Sequence, residues 1–188
     1  MQVPTSDVKC AGALLLALLC AGCPQDPLLI DDVDPIGAVD GSFSCIIYSA
    51  TEDRFDLGAA QLEGDLDSTD FIAGLRTQGC IARRITADRG DVVSVALLQQ
   101  TRFDRAQILE LDLPVSVLSE RADSPLVVND VVVFAGNGGF GSMYSLDPGE
   151  DPHLFARTAG GGVLLSQWGV DEDAVIAGTF TGLRMGAL

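Results

Sequence analysis

The chain predicts an all-β, antiparallel fold, and three observations carry that expectation. Short runs rich in Val, Ile and Leu recur from Ser42 onward, alternate in places with polar residues, and are separated by clusters of Gly, Asp and Pro. A period of two turns one set of side chains to a buried face, as in a half-buried strand, and the separating residues are those that turns require. Three related segments also recur: DVVSVA from Asp91, DVVVFA from Asp130 and DAVIAG from Asp173 begin 39 and 43 residues apart. Finally, the glycine-rich stretch FAGNGGFGS, 134–142, follows an apolar run yet leads into no segment of helical length.

Taken in order, the expected strands lie at 43–49, 55–62, 92–99, 106–112, 131–135, 142–146, 153–157, 163–168 and 174–181. One segment has helical features: Ser68 is placed to cap a short helix carrying Phe71, Ile72 and Leu75 and stopping at Gly79, although Gly74 inside it opposes a helix. A period near 40 is the size of one four-stranded propeller blade, which cannot bury its faces alone and stacks on its neighbours. The segment GVDEDAVIAGTFTGLRMG, Gly169 to Gly186, resembles bacterial β-propeller repeats, in which an aspartate-led turn precedes an apolar strand and a Gly-Thr-Phe-x-Gly turn. That resemblance implies propeller-like four-stranded units, and 42–188 has room for fewer than four, hence a small or incomplete propeller. A β-sandwich or barrel would space strands and turns similarly and is the alternative.

Gly136, Gly138 and Gly141 stand in the spacing G-x-G-x-x-G of a dinucleotide loop. Such a loop works by passing into a helix whose first N–H groups meet the pyrophosphate. Here Ser142–Leu146 runs directly into the turn Asp147-Pro148-Gly149, which leaves room for at most about one and a half helical turns. A turn between antiparallel strands, with glycine supplying positive φ, is the better expectation. No cofactor is expected.

The N-terminus reads MQVPTSDVKC AGALLLALLC AGC, with the chain's single lysine, Lys9, ahead of an apolar run of 12 residues from Ala11 to Gly22. A membrane-spanning helix needs about 20 apolar residues and a signal-peptide core about 7–15, so the run reads as an export signal. Cys20-Ala21-Gly22-Cys23 resembles the box of a bacterial lipoprotein signal, with Cys20 where Leu is usual and Leu19 just before it. The resemblance implies cleavage before Cys23, acylation of Cys23, and a membrane-anchored place in the bacterial cell envelope. Residues 1–22 are then the signal, 23–41 an acidic tether rich in Pro and Asp, and 42–188 the β domain. An ordinary secretory signal is the alternative.

The formal charge of −16 and the lack of a basic stripe, Arg83, Arg84 and Arg89 being the densest cluster, exclude nucleic acid as an expected partner. Of the five cysteines, Cys10 and Cys20 leave with the signal and Cys23 takes lipid. Cys45 and Cys80 remain, as a disulfide in an oxidising compartment or as two buried thiols. His153 is the single histidine, too few for a histidine metal centre or a Ser-His-Asp relay. Acids cluster at Asp31, Asp32 and Asp34, at Asp147, Glu150 and Asp151, and at Asp171, Glu172 and Asp173, none of them in the spacing of a calcium loop, so no metal is expected. Two function classes follow. The first is a non-enzymatic binding or structural module at the envelope, meeting an envelope protein or small ligand; the second is an envelope hydrolase that uses carboxylates, with or without calcium.

Overall fold

The computed structural model describes residues 34–49, 56–72, 77–87, 90–100, 105–119 and 140–188. It is all-β. The strands are β1 (Pro35–Tyr48), β2 (Ala59–Leu66), β3 (Thr77–Ala87), β4 (Gly90–Gln100), β5 (Ala106–Pro114), β6 (Phe140–Leu146), β7 (His153–Gly160), β8 (Leu164–Trp168) and β9 (Val175–Ala187), and one short helix, α1 (Val115–Ser119), follows β5.

These strands form one nine-stranded sheet in the order β2-β1-β3-β4-β5-β6-β7-β9-β8, and an additional pairing of β1 with β9 closes it into a barrel. The ladders β3–β4, β4–β5, β5–β6, β6–β7, β7–β9 and β9–β1 are antiparallel and β1–β3 is parallel, so strand direction returns to itself around the ring. Two strands change neighbours along their length. The edge of β1 that β2 occupies from Gly37 to Ser44 passes to β3 at Ile47 and Tyr48. Likewise β9 pairs with β8 over Ile176–Thr179 and with β7 over Arg184–Ala187. In the β1–β9 ladder the part of β9 that pairs with β7 lies opposite Pro35–Ala38, and the part of β1 that pairs with β3 continues from the other end. Strands that switch sheets through bulges make such corners. The β1–β9 register shifts at Pro35/Gly37 and Val39/Gly41, and β7–β9 at Thr158/Gly160.

Alternation fills the interior. In β5, Gln107, Leu109, Leu111 and Leu113 are buried while the residues between them are half-buried. Val93, Val95 and Leu97 of β4, Met143 of β6, and Val39, Phe43, Cys45 and Ile47 of β1 face the same core. Removing such side chains from water contributes about 1.5–3 kcal/mol for each large one. Each end of the barrel has an apolar side chain packed on the core. Leu118 of α1 is buried where β5 ends, and at the other end Phe71, in the turn that follows β2, packs on the core. That turn is pinned by Gln107, whose Oε1 accepts from Ile72 N–H (3.3 Å) and whose Nε2 donates to Ile72 O (3.0 Å) and to Gln99 Oε1 (2.9 Å). The buried amides therefore have partners, as burial demands.

Several expectations change. Among the described residues the sheet does not divide into separate four-stranded units: Asp91 is the second residue of β4 and Asp173 precedes β9, two members of one continuous ring. The Gly-Thr-Phe-x-Gly element, Gly178–Gly182, lies inside β9 rather than at its end; Gly182 (φ +63°) sits at a bulge, where its N–H donates to Asp40 Oδ1 (2.6 Å). The expected helix at Ser68–Gly79 does not form over its described residues. Ser68 does accept from Asp70 N–H through its hydroxyl (3.2 Å), but this closes a turn, and Thr77–Gly79 belongs to β3. Strand β3 answers to none of the expected strands, and β1 begins at Pro35, inside the segment read as a tether, because its first residues complete the ladder with β9. The expected strand at 131–135 lies outside the described residues.

Candidate functional site

Residues 1–22, Cys23, Asp31, Asp32, Gly136 and Gly138 lie outside the described residues. Gly141 lies within β6, which runs antiparallel between β5 and β7. A strand therefore stands where a dinucleotide loop needs a helix. The glycine serves close approach rather than a turn: a Cβ there would come 2.7 Å from Thr158 Cγ2, and its N–H donates to Thr158 Oγ1 (2.8 Å). Cys45 of β1 and Cys80 of β3 are joined by a disulfide, with Cα atoms 5.9 Å apart.

The two described acidic turns do not converge. Asp147 is paired with Arg105, whose Nη2 donates to Asp147 Oδ2 (3.1 Å), just before β5 and therefore at the end of the barrel where β4 finishes. Asp171 stands 3.7 Å from Arg84, which also pairs with Asp91 (3.0 Å) at the start of β4. Opposite ends of one strand thus separate them, by about 30 Å at the rise of an extended chain. His153 opens β7 as an exposed residue, its Nδ1 3.8 Å from Asp70 Oδ2. Among the described residues, no group of three or more His, Cys, Asp or Glu is arranged to hold a metal ion, and no helix is long and apolar enough to cross a membrane.

The structure instead gathers a polar site on the outer face of β4, β5 and β6. Glu110 and Asp112 are two residues apart on β5, so both point away from the core, with Cα atoms about 7 Å apart. Register places Ser94 of β4 opposite Asp112 and Ser142 of β6 opposite Glu110, with Tyr144 one step along. The next strands add Arg83 beside Ser94 and Arg157 beside Ser142. Ser94 Oγ donates to Glu110 Oε1 (2.9 Å), and Ser94 and Ser142 are both buried. Asp112 Oδ1 is buried and, among the described residues, has no hydrogen-bond partner.

Burial also sets the acidity of this face. It pushes the Asp112 carboxyl above the ordinary aspartate value; the Glu110 carboxylate adds to the rise and Ser94 partly offsets it. Burial, with the same Glu110 charge, also raises the Tyr144 hydroxyl. An acid whose folded-state pKa is raised binds its proton more tightly in the native chain than in the unfolded one. Its contribution to stability is complete below the unfolded pKa, about 3.9, and is lost as pH climbs through the raised value. Asp112→Asn should therefore make the fold more stable than the wild type at pH 7. The gain should disappear near pH 3.5, a comparison that thermal melts of both proteins at the two pH values provide.

Strand alternation in ILELDLP carries the signal for Glu110 and Asp112, since acids two apart share a face; Ser94, Ser142 and Tyr144 join them only through pairing. Comparison with protein-family models, with curated proteins and with solved structures finds no match to this chain.

Proposed function

We propose that this chain is an exported bacterial envelope protein, held to a membrane by acyl chains on Cys23, whose barrel acts there as a non-enzymatic binding or structural module. The observation that carries the reading is the sequence Leu19-Cys20-Ala21-Gly22-Cys23 at the close of an apolar run too short to span a bilayer. Each methylene of an acyl chain buried in lipid contributes about 0.8 kcal/mol, so several chains hold firmly where one holds weakly. The apolar filling of the barrel supports recognition from outside rather than within, and the face bearing Glu110, Asp112 and Tyr144 is the surface best equipped to meet an envelope protein or a small polar ligand.

Metabolic labelling with a fatty-acid analogue in a bacterial host should mark the wild-type chain and leave Cys23→Ser unlabelled. Equal labelling of the two removes the anchor.

A second reading is favoured by the carboxyl pair itself. An acid with a raised pKa beside a second carboxylate is the arrangement of hydrolases that split glycosidic bonds, with Asp112 as proton donor and Glu110 as base. In that case Asp112→Asn and Glu110→Gln each abolish turnover of a chromogenic glycoside that the wild type cleaves. The calcium-assisted form requires ligand binding to raise the melting temperature. A flat melting temperature up to millimolar calcium sinks it.

A further inference from the structure

The ring closes through one weak seam. Strands β1 and β3 pair only at Ile47 with Ala82 and Tyr48 with Arg83, the shortest ladder in the ring among the described residues. Extending that register back by two residues on each strand reaches Cys45 and Cys80, the bonded pair. Gly58 is wedged in the fork where β1 leaves β2 for β3. Its N–H donates to Cys80 O (2.9 Å) and its carbonyl accepts from Cys80 N–H (3.1 Å), and a Cβ on it would lie 2.3 Å from Ser44 O and 2.9 Å from Cys80 Sγ. Three chain segments thus meet at the disulfide. Elsewhere each half of the barrel is held by longer ladders: β3 to β7 as a meander, and β2-β1-β9-β8 as an antiparallel face.

We propose that the Cys45–Cys80 bond is a redox latch: formed, it keeps the ring closed, and its reduction opens the barrel between β1 and β3 while both halves stay paired. The reductant is a dithiol. One of its thiolates attacks a protein sulfur, the S–S bond breaks and a mixed disulfide forms; its second thiolate then displaces the protein sulfur. Cys45 and Cys80 end as thiols with two protons gained, and the dithiol ends as a disulfide. Both cysteines are buried, at 1% and 0% exposure, so attack must follow transient parting of the seam, and the short ladder is what permits that parting.

Hydrogen exchange read by mass spectrometry on the full chain in native buffer tests the latch, comparing the oxidised protein, the protein reduced with dithiothreitol and the Cys45→Ser/Cys80→Ser double variant. In both unbonded forms, the amides that face the seam, those of Gly58, Tyr48, Cys80 and Ala82, should exchange at least about tenfold faster, while the Ile47 amide, bonded to Ala174 O, and those of the β4–β5 ladder change by less than about twofold. Reoxidation should restore slow exchange at the seam. Faster exchange throughout β4 and β5 would mean that the bond holds the whole fold rather than one seam. Unchanged exchange at the seam would mean that the ladder closes the ring unaided. Either result overturns the proposal.

Discussion

Gly37→Ala is expected to destabilise the protein by about 3 kcal/mol or more, a large share of the roughly 5–15 kcal/mol that holds a domain together. Gly37 has φ +137°, a conformation that side-chain-bearing residues rarely adopt, at a cost of about 1–3 kcal/mol. A Cβ there would also stand 2.0 Å from Asp65 O and 3.0 Å from Leu66 Cα. Those atoms are backbone, fixed between β1 and β2, so relief must come from moving a strand, and overpacking of this kind adds about 1–3 kcal/mol. Gly149→Ala is the control. That residue also has positive φ (+80°), but nothing lies within 4 Å of where its Cβ would stand, so only the conformational cost of about 1 kcal/mol should remain. Chemical denaturation of both variants separates strain from crowding; equal losses would refute the steric part.

Leu109→Ala should cost about 2–5 kcal/mol. Leu109 is fully buried at the middle of β5, and its register partners Leu97 of β4 and Met143 of β6 are buried as completely. Truncation leaves a void between side chains already held by two neighbouring strands, which limits collapse. Ile108 is its neighbour in sequence but faces outward and is only half-buried, so Ile108→Ala should cost much less. Similar losses at the two positions, measured by urea denaturation, would contradict the inside–outside assignment of β5 and with it the outward placement of Glu110 and Asp112.

Strands with large apolar residues on one face are legible in the sequence: β4 and β5 emerge within a residue or two of the expected bounds because Val93, Val95 and Leu97, and then Leu109 and Leu111, keep a strict period. β3 is hidden because its inward face is carried by Cys80 and Ala82, small residues that leave little hydrophobic contrast, and because Arg83 and Arg84 interrupt the run. Closure is hidden for a different reason. It depends on pairing β1 with β9, a contact between distant parts of the chain that no local pattern encodes. The site divides in the same way: one strand's alternation offers Glu110 and Asp112, whereas the two serines and Tyr144 are contributed by register.

The β1–β9 ladder also sets a timetable. When the ribosome has delivered β1, that strand's longest partner is still unmade, and it remains so until nearly every other strand has emerged. Pairings between remote segments are slow because a large loop must close before any contact rewards it. A growing chain of this topology can therefore pair β3 to β7 as they appear, but it becomes a ring only after β9, delivered last, finds β1.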